Sequence, residues 1–342
     1  MLFKNIEIFN VSELEASPFD GGYSMLRLPK SVESSLGEQG RRMNRSSVGV
    51  EFRFKCDEEI SFLLRSKDPE GTKVLLFLGD VQASWDQSSY VVGHEIKKLV
   101  VRPNPETSKQ VASINDSKGR RYAPDLFRLV FDGSEVELFD VIGKAIPLCD
   151  EDFPSTKYLA YGSSITACSL TYFPIDSFAY LLGKAMKADT RNIGFPGSCR
   201  LEESVASFLA DKTDFDFATI ELGINVIAEW DVKTFKEAVE KFLPLVVNSH
   251  PRAYFYVIDI FSYFNECCSG VSVEKLEQYR NVVRQITLSL DSPHVYYVRG
   301  DKLLCGRNNL ASDLVHPDLE GHREIFDNLF PIVKETYGKT NR

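Results

Sequence analysis

After residue 156 the sequence alternates between short apolar runs and longer amphipathic segments, and no other feature constrains the fold as strongly. The strand-like runs are residues 157–161, 191–194, 217–222, 253–261 and 295–298. The segments with helical spacing are residues 177–187, 202–210, 232–247, 273–290 and a closing helix from about Leu319. Such a βαβ series predicts an α/β domain with a mainly parallel sheet and helices on both faces. Ligands bind these sheets at the carboxyl ends of the strands, so we expect a functional site in the loops that follow them.

Residues 47–149 have a different pattern, in which β-branched and aromatic runs are separated by turn residues without a helical period. In the clearest run, residues 48–54, apolar side chains alternate with Gly49, Glu51 and Arg53, which gives one apolar face. Further runs cover residues 60–64, 74–78, 98–102, 126–131 and 136–141. This spacing predicts an all-β sandwich of the jelly-roll type. With the polar stretch 150–156 as the boundary, we predict two domains, residues 1–150 and residues 151–342.

Composition limits the kinds of partner that the protein can bind and the cellular compartment in which we expect it. Forty Lys and Arg residues against 49 Asp and Glu give a net charge of −9, which repels phosphates, so we expect no nucleic-acid partner. The N-terminal segment lacks the apolar core of a signal peptide, and no stretch approaches the roughly 18 apolar residues of a membrane span. Seven scattered cysteines are interpreted as reduced packing residues. These features predict a cytoplasmic protein without a membrane partner.

The loop after the first strand of the α/β region contains two adjacent serines, Ser163 and Ser164. A serine at this place has its hydroxyl at the carboxyl edge of the sheet. Its own N–H lies at the positive end of a helix, where a developing oxyanion is stabilised. Ser164 is therefore the candidate nucleophile. A simple turn with a serine N-cap is the alternative interpretation of the same residues.

The loops after the second and third strands each offer a group that suits an oxyanion. Gly197 has no side chain, so its N–H can approach a bound carbonyl oxygen closely. Asn225 carries an amide that donates hydrogen bonds, and Gly223 allows close approach beside it. Glycine and asparagine are also common turn residues, and each loop taken alone is more typical of a turn.

The last loop places Asp313 three residues before His316, ahead of the final helix. The aspartate can accept the N–H of one ring nitrogen, which leaves the other nitrogen to act as a general base toward a serine. Metal binding by His316, Glu320 and His322 is the alternative. Zinc ligands on a helix usually lie at i and i+4, whereas these two histidines are six residues apart. We therefore expect no metal, and we expect His322 to be a packing or surface residue.

Together the four loops resemble the four blocks of the SGNH (GDSL-type) hydrolases, over about residues 157–334. The motifs that carry the resemblance are Gly162-Ser163-Ser164-Ile165-Thr166, Gly197, Gly223-x-Asn225 and Asp313-x-x-His316-Pro317. The resemblance implies a flavodoxin-like three-layer domain with Ser164 as nucleophile, His316 as base and Asp313 as the carboxylate that orients it. It also implies an oxyanion hole formed by the N–H groups of Ser164 and Gly197 and by the Asn225 amide.

Two positions depart from the family pattern. Ser163 stands where the first block commonly has aspartate, and Val226 stands where the third block commonly has aspartate. The sequence around the first two blocks is similar to that of one subgroup of the family. Members of this subgroup carry an N-terminal β-sandwich, and they include two-domain carbohydrate esterases. This resemblance implies a serine esterase without a cofactor. Its expected substrate is a small acyl ester, acetyl above all, of a sugar or another polyhydroxylated compound.

Two other functions stay open from the sequence. A thioesterase or lysophospholipase-type acyl hydrolase would use the same groups on a longer acyl chain. A catalytically inactive carbohydrate-binding protein would instead use the β-sandwich. A dinucleotide-binding protein is not favoured, because no GxGxxG motif follows a predicted strand. Neither the acyl acceptor nor the oligomeric state follows from the sequence.

Overall fold

The computed structural model describes residues 1–83, 89–171, 173–264 and 270–340. The chain forms two compact units, each assembled from separate stretches of sequence. Unit 1 consists of Met1–Lys30, Asn44–Ser155 and Lys187–Asp189. Unit 2 consists of Ser31–Met43, Thr156–Met186 and Thr190–Arg342. A stretch near the N-terminus therefore belongs to the same unit as the α/β region, and the division into domains at residue 150 stays a prediction.

Unit 1 contains two antiparallel sheets, which confirms the predicted all-β sandwich. Its strands are β1 (Leu2–Phe3), β2 (Ile6–Phe9), β3 (Glu13–Ala16), β4 (Tyr23–Leu26), β5 (Glu51–Phe54), β6 (Ile60–Ser66), β7 (Thr72–Leu78), β8 (Val81–Gln82), β9 (Ser89–Val92), β10 (Lys97–Val101), β11 (Phe127–Phe131) and β12 (Val136–Ile142). One sheet has the order β1-β2-β5-β11-β7-β8, with β9 also paired to β7, and the other has the order β10-β6-β12-β4-β3. Phe52 contacts the rings of Phe62 and Phe131 in the core of this unit.

The second face of β5, which carries the polar residues of the alternating run 48–54, is buried as well. Glu51 and Arg53 are only 4% and 1% exposed. The Glu51 carboxylate accepts hydrogen bonds from Arg53 Nε and Arg128 Nε, both at 2.8 Å. Burial opposes ionisation of Glu51, but the two arginines outweigh it and lower the pKa of this carboxyl to about 2. A paired set of buried charges therefore occupies the face of β5 opposite its apolar side chains.

A helix, α3 (Pro105–Lys118), interrupts the strands of unit 1, so the prediction of residues 47–149 without a helix was wrong. Asn104 caps this helix, because its side-chain oxygen accepts the N–H groups of Glu106 (3.1 Å) and Thr107 (3.3 Å). Pro105 takes the first helical position, where the missing N–H is not needed. The helix is mainly polar, so the sequence shows no apolar residues at helical spacing from which it could be predicted.

Unit 2 carries a five-stranded sheet of order β14-β13-β15-β16-β17. Its strands are β13 (Thr156–Gly162), β14 (Ala188–Gly194), β15 (Phe217–Glu221), β16 (Tyr254–Ile258) and β17 (Val295–Val298). The pairings β13–β15, β15–β16 and β16–β17 are parallel. This order, with the second strand at one edge, is that of the flavodoxin-like folds. The predicted α/β fold class is confirmed, and the carboxyl ends of the strands bring the four candidate loops to one edge.

The helices outside α3 are mostly in unit 2. They are α1 (Lys30–Glu33), α2 (Glu38–Asn44), α4 (Ser164–Ala167), α5 (Phe178–Ala185), α6 (Glu203–Lys212), α7 (Val232–Ser249), α8 (Val273–Ser289), α9 (Gly300–Leu303) and α10 (Leu319–Thr340). The helices α5 to α8 and α10 follow the amphipathic segments read from the sequence. Across the described ranges, no helix combines the length and the apolar character that crossing a membrane requires.

The cysteines do not all pack in the interior. Cys56, Cys168 and Cys199 are buried free thiols, whereas Cys149 and Cys305 are exposed free thiols. The interpretation of all seven as packing residues is therefore wrong for the two exposed ones. Cys267 and Cys268 lie outside the described residues.

Candidate active site

The two adjacent serines have different surroundings at the junction of β13 and α4. Gly162 ends β13, and a Cβ there would collide with Thr166 and with the Glu221 carboxylate, so the position requires glycine. Ser163 is the N-cap of α4, and its hydroxyl accepts a backbone N–H of the first turn at 3.1 Å. Ser164 begins α4, is 7% exposed and lines a cavity. Of the two serines, Ser164 is thus the one placed at the cavity.

A continuous chain of hydrogen bonds joins Ser164, His316 and Asp313. The Nε2 atom of His316 lies 2.6 Å from Ser164 Oγ, and its Nδ1 atom lies 2.5 Å from Asp313 Oδ2. The contact with the carboxylate requires the proton of a neutral imidazole on Nδ1, which leaves Nε2 as the acceptor toward the serine hydroxyl. The arrangement can therefore move a proton from Ser164 to His316.

Hydrogen bonds within the loop hold Asp313 and His316 in place. Leu310 and Pro317 form an antiparallel bridge, and the Ala311 N–H donates to the His316 carbonyl at 2.8 Å. The Oδ1 atom of Asp313 accepts two backbone N–H groups of the loop, each at 3.0 Å. Burial opposes the charge of Asp313, but these bonds and the imidazole outweigh it and lower the pKa of the carboxyl. The carboxylate is thus held ionised and fixed in direction.

Gly197 and Asn225, the two predicted oxyanion groups, line the same cavity as Ser164. The Asn225 Oδ1 atom accepts the N–H of Cys199 at 3.0 Å, so the NH₂ group is the part of the amide left to face the cavity. Gly197 has φ +67°, and Gly223 has φ +116° with no room for a Cβ beside Ile260. These backbone conformations favour glycine at both positions.

The cavity itself has a volume of about 380 Å³ and a mainly apolar wall. Besides Ser164, His316, Gly197 and Asn225, its lining residues are Gln39, Ser169, Leu170, Pro196, Ile224, Ile227, Ala228, Tyr263 and Val315. Such a wall suits a substrate group with few polar atoms.

Two residues of this site were missed by the sequence reasoning. Gln39, from the stretch that joins unit 2 from near the N-terminus, lines the cavity, and its Nε2 atom donates to the Pro196 carbonyl at 3.3 Å. Glu221 lies beneath the loop of residues 162–166, here called the serine loop, and is 1% exposed. A glutamate that ends a mainly apolar strand was the available signal for the second residue, because a buried carboxylate needs a partner. No comparable signal marked the first.

The alternative metal ligands do not gather around His316. His322 is fully buried, stacks on Phe178 and accepts the Phe178 N–H at 3.4 Å, as expected of a packing residue. Burial, with a smaller effect of His316, lowers the pKa of His322 to about 3. Glu320 is exposed. Within the part of the chain that the structure describes, no three His, Cys, Asp or Glu side chains are grouped so as to hold a metal ion.

A parallel sheet with a serine, an imidazole and a carboxylate in one hydrogen-bond chain at its carboxyl edge defines the class of α/β acyl hydrolases. The sequence model of the GDSL-like lipase/acylhydrolase family matches residues 156–334, and the chain belongs to this family. Among curated proteins, no match is found.

Solved structures share the two-unit architecture. The salicylyl-acyltransferase SsfX3 from a tetracycline biosynthetic pathway has a TM-score of 0.76 at 15% identity, over 98% of this chain and 95% of that one. A family two carbohydrate esterase from Cellvibrio japonicus has a TM-score of 0.61 at 12% identity, over 98% and 96%. The acetyl xylan esterase Est2A from Butyrivibrio proteoclasticus has a TM-score of 0.56 at 11% identity, over 99% and 97%. At these identities the likeness shows the fold alone.

Proposed function

We propose that the chain is a serine esterase that hydrolyses a small acyl ester through an acyl-enzyme. The observation that carries this proposal is the bond chain from Asp313 through His316 to Ser164 beside a cavity of substrate size. Ser164 Oγ attacks the ester carbonyl carbon while His316 Nε2 takes its proton. The imidazolium then gives that proton to the departing alkoxide, which leaves as the alcohol. A water molecule attacks the acyl-serine in the same way, releasing the acid and restoring Ser164.

The remaining groups stabilise charge during these steps. Asp313 holds the imidazole in the required tautomer and stabilises the imidazolium. The N–H groups of Ser164 and Gly197 and the Asn225 amide bind the oxyanion of the tetrahedral intermediate. Every step uses groups of the chain and water.

For the substrate, we propose an acetyl or similarly small acyl ester of a sugar or another polyhydroxylated compound. The resemblance in the first two blocks supports this choice. So does the shared fold with a family two carbohydrate esterase and an acetyl xylan esterase, although the fold does not set a substrate. The apolar cavity wall favours a second candidate, a thioesterase or lysophospholipase-type acyl hydrolase with a longer acyl chain. The bond chain at Ser164 argues against an inactive carbohydrate-binding protein.

The rate on p-nitrophenyl esters from acetate to octanoate tests the proposed acyl group. We expect kcat/KM to be highest for the shortest chains and to fall at least about 10-fold by octanoate, since an acyl chain too long for its pocket must displace packed side chains or shift the ester away from Ser164. A maximum at longer chains would favour the second candidate. The esterase proposal would be contradicted if the protein hydrolysed neither the esters nor the matching thioesters and if a fluorophosphonate did not label it.

Replacement of Asn225 by alanine tests the oxyanion assignment. We expect turnover to fall by about 10²–10³, or roughly 3–4 kcal/mol, with little change in KM, because the amide binds charge that exists only in the transition state. Steady-state kinetics on the best ester of the series measure both constants. A change confined to KM would make Asn225 a residue that positions the substrate.

A further inference from the structure

We infer that Glu221 is a positioning residue whose buried carboxylate fixes the serine loop, and with it Ser164, in register with His316. Its effect on turnover rests on the proposed function, whereas its effect on the loop does not. Glu221 is the last residue of β15, next to β13 in the sheet, and its side chain lies beneath the start of α4.

Three donors of the serine loop converge on this one carboxylate. The Ser163 N–H donates to Oε2 at 2.7 Å, and the Ser163 hydroxyl lies 2.8 Å from both carboxylate oxygens. The Thr166 hydroxyl donates to Oε2 at 3.0 Å. These donors precede and follow Ser164, so the carboxylate holds the loop on both sides of the nucleophile.

The contacts are shielded from water, which increases their effect on the loop. Ser163, Thr166 and Glu221 are each at most 1% exposed. Water therefore cannot replace a lost bond without opening the structure, and a donor left without its acceptor is costly. Gly162 leaves room for the carboxylate, since a Cβ at that position would collide with it.

Burial opposes the charge of Glu221, so its carboxylate depends on the hydrogen bonds that it accepts. The pKa of Glu221 is raised overall by burial, and the Ser163 and Thr166 hydrogen bonds and the nearby His316 limit that rise without cancelling it. The Cys199 thiol, which approaches the Glu221 carbonyl, has a pKa raised well above its usual value by burial and by this carboxylate. Tyr161 on β13 likewise has a raised pKa through burial. The thiol and the phenol thus stay neutral beside the carboxylate.

The inference predicts distinct outcomes for two substitutions of Glu221. Glu221→Ala removes every acceptor from the loop donors, and we expect kcat per folded enzyme to fall by about 10²-fold with KM nearly unchanged. Glu221→Gln keeps the size and one acceptor oxygen, so it should recover at least about 10-fold of that loss. Glu137→Gln is the matched control, because Glu137 is a buried glutamate of unit 1, bonded to Arg65. We expect that control to leave kcat unchanged.

A double-mutant cycle separates positioning from general destabilisation. Thr166→Val removes one donor without changing the side-chain shape, and its loss of activity should largely disappear when Glu221 is already alanine. Additive effects of the two substitutions, or full kcat in Glu221→Ala, would overturn the inference. If Glu221→Ala does not fold, Glu221→Met, which keeps most of the side-chain volume but has no carboxylate oxygen, replaces it in the cycle.

Hydrogen exchange of the serine loop gives a readout that does not need a substrate. Glu221→Ala should raise the amide exchange rate of the peptide covering residues 162–167 by at least about 10-fold, because the Ser163 N–H loses its acceptor. Exchange in the Glu137→Gln control should stay unchanged over that peptide. Faster exchange in a chain inactive on every ester would sink the proposed function and keep the positioning role. Unchanged exchange in Glu221→Ala would overturn the positioning role itself.

Discussion

Replacement of Ser164 by alanine is expected to reduce turnover by about 10⁶-fold, with the fold intact. The hydroxyl of Ser164 is the group 2.6 Å from His316 Nε2, and alanine leaves no oxygen to attack the carbonyl carbon. Only the oxyanion groups and the bound substrate would then contribute to the remaining rate. Turnover on the best p-nitrophenyl ester, with circular dichroism to monitor folding, measures the effect.

The neighbouring serine provides the control for this prediction. The Ser163 hydroxyl caps α4 and bonds to Glu221, so we expect Ser163→Ala to be much milder than Ser164→Ala. A fluorophosphonate should label the parent protein and Ser163→Ala on Ser164, and mass spectrometry of the labelled peptide locates the adduct. A label on Ser163 would contradict the assignment of the nucleophile.

Replacement of Asp313 by asparagine is expected to reduce turnover by as much as about 10⁴-fold. Asparagine keeps one oxygen for the two backbone N–H groups that Oδ1 accepts, so the loop should stay closed. Its NH₂ group would face His316 Nδ1, which needs an acceptor there, and the imidazole would be held in the wrong tautomer. Thermal unfolding of the variant alongside kinetics separates this effect from a loss of fold.

The metal interpretation makes opposite predictions for the same residues. It requires that a chelator abolish activity and that Glu320→Ala or His322→Ala be as damaging as Asp313→Asn. The exposed Glu320 is the cleaner comparison, since His322 is buried and its truncation leaves a hole in the packing. We expect Glu320→Ala and EDTA to leave turnover per folded enzyme unchanged. Full activity in Asp313→Asn would exclude the proposed Asp313–His316–Ser164 mechanism.

The grouping of Ser164, Asn225 and the Asp313–His316 pair was predictable from the sequence, because parallel strands bring the loops at their carboxyl ends to one edge. Each of these residues follows a strand that the apolar runs already mark. Their roles depend on the experiments above.

Other features depend on contacts that a local pattern does not contain. The burial of Glu51 and Arg53 follows from their pairing with Arg128 and Asp189, which lie far away in the sequence, so alternation along β5 does not predict it. The polar helix α3 is set by its Asn104 cap and not by an apolar stripe. Gln39 reaches the cavity from a part of the chain more than 100 residues before β13. Long-range pairing of this kind cannot be read from spacing.

Unit 2 is assembled from separate stretches of the chain, and this affects the order in which its parts are synthesised. Ser31–Met43, with Gln39, leaves the ribosome before Asn44–Ser155, the larger part of unit 1, whereas β13 and the serine loop leave it afterwards. The packing partners of this early segment are synthesised only after the β-sandwich. Unit 2 therefore contains contacts between residues that are far apart in the sequence. A fragment that begins at residue 151 would carry Ser164 and His316 but not this wall of the cavity. Exchanging the first 150 residues between relatives would therefore also exchange part of the substrate site.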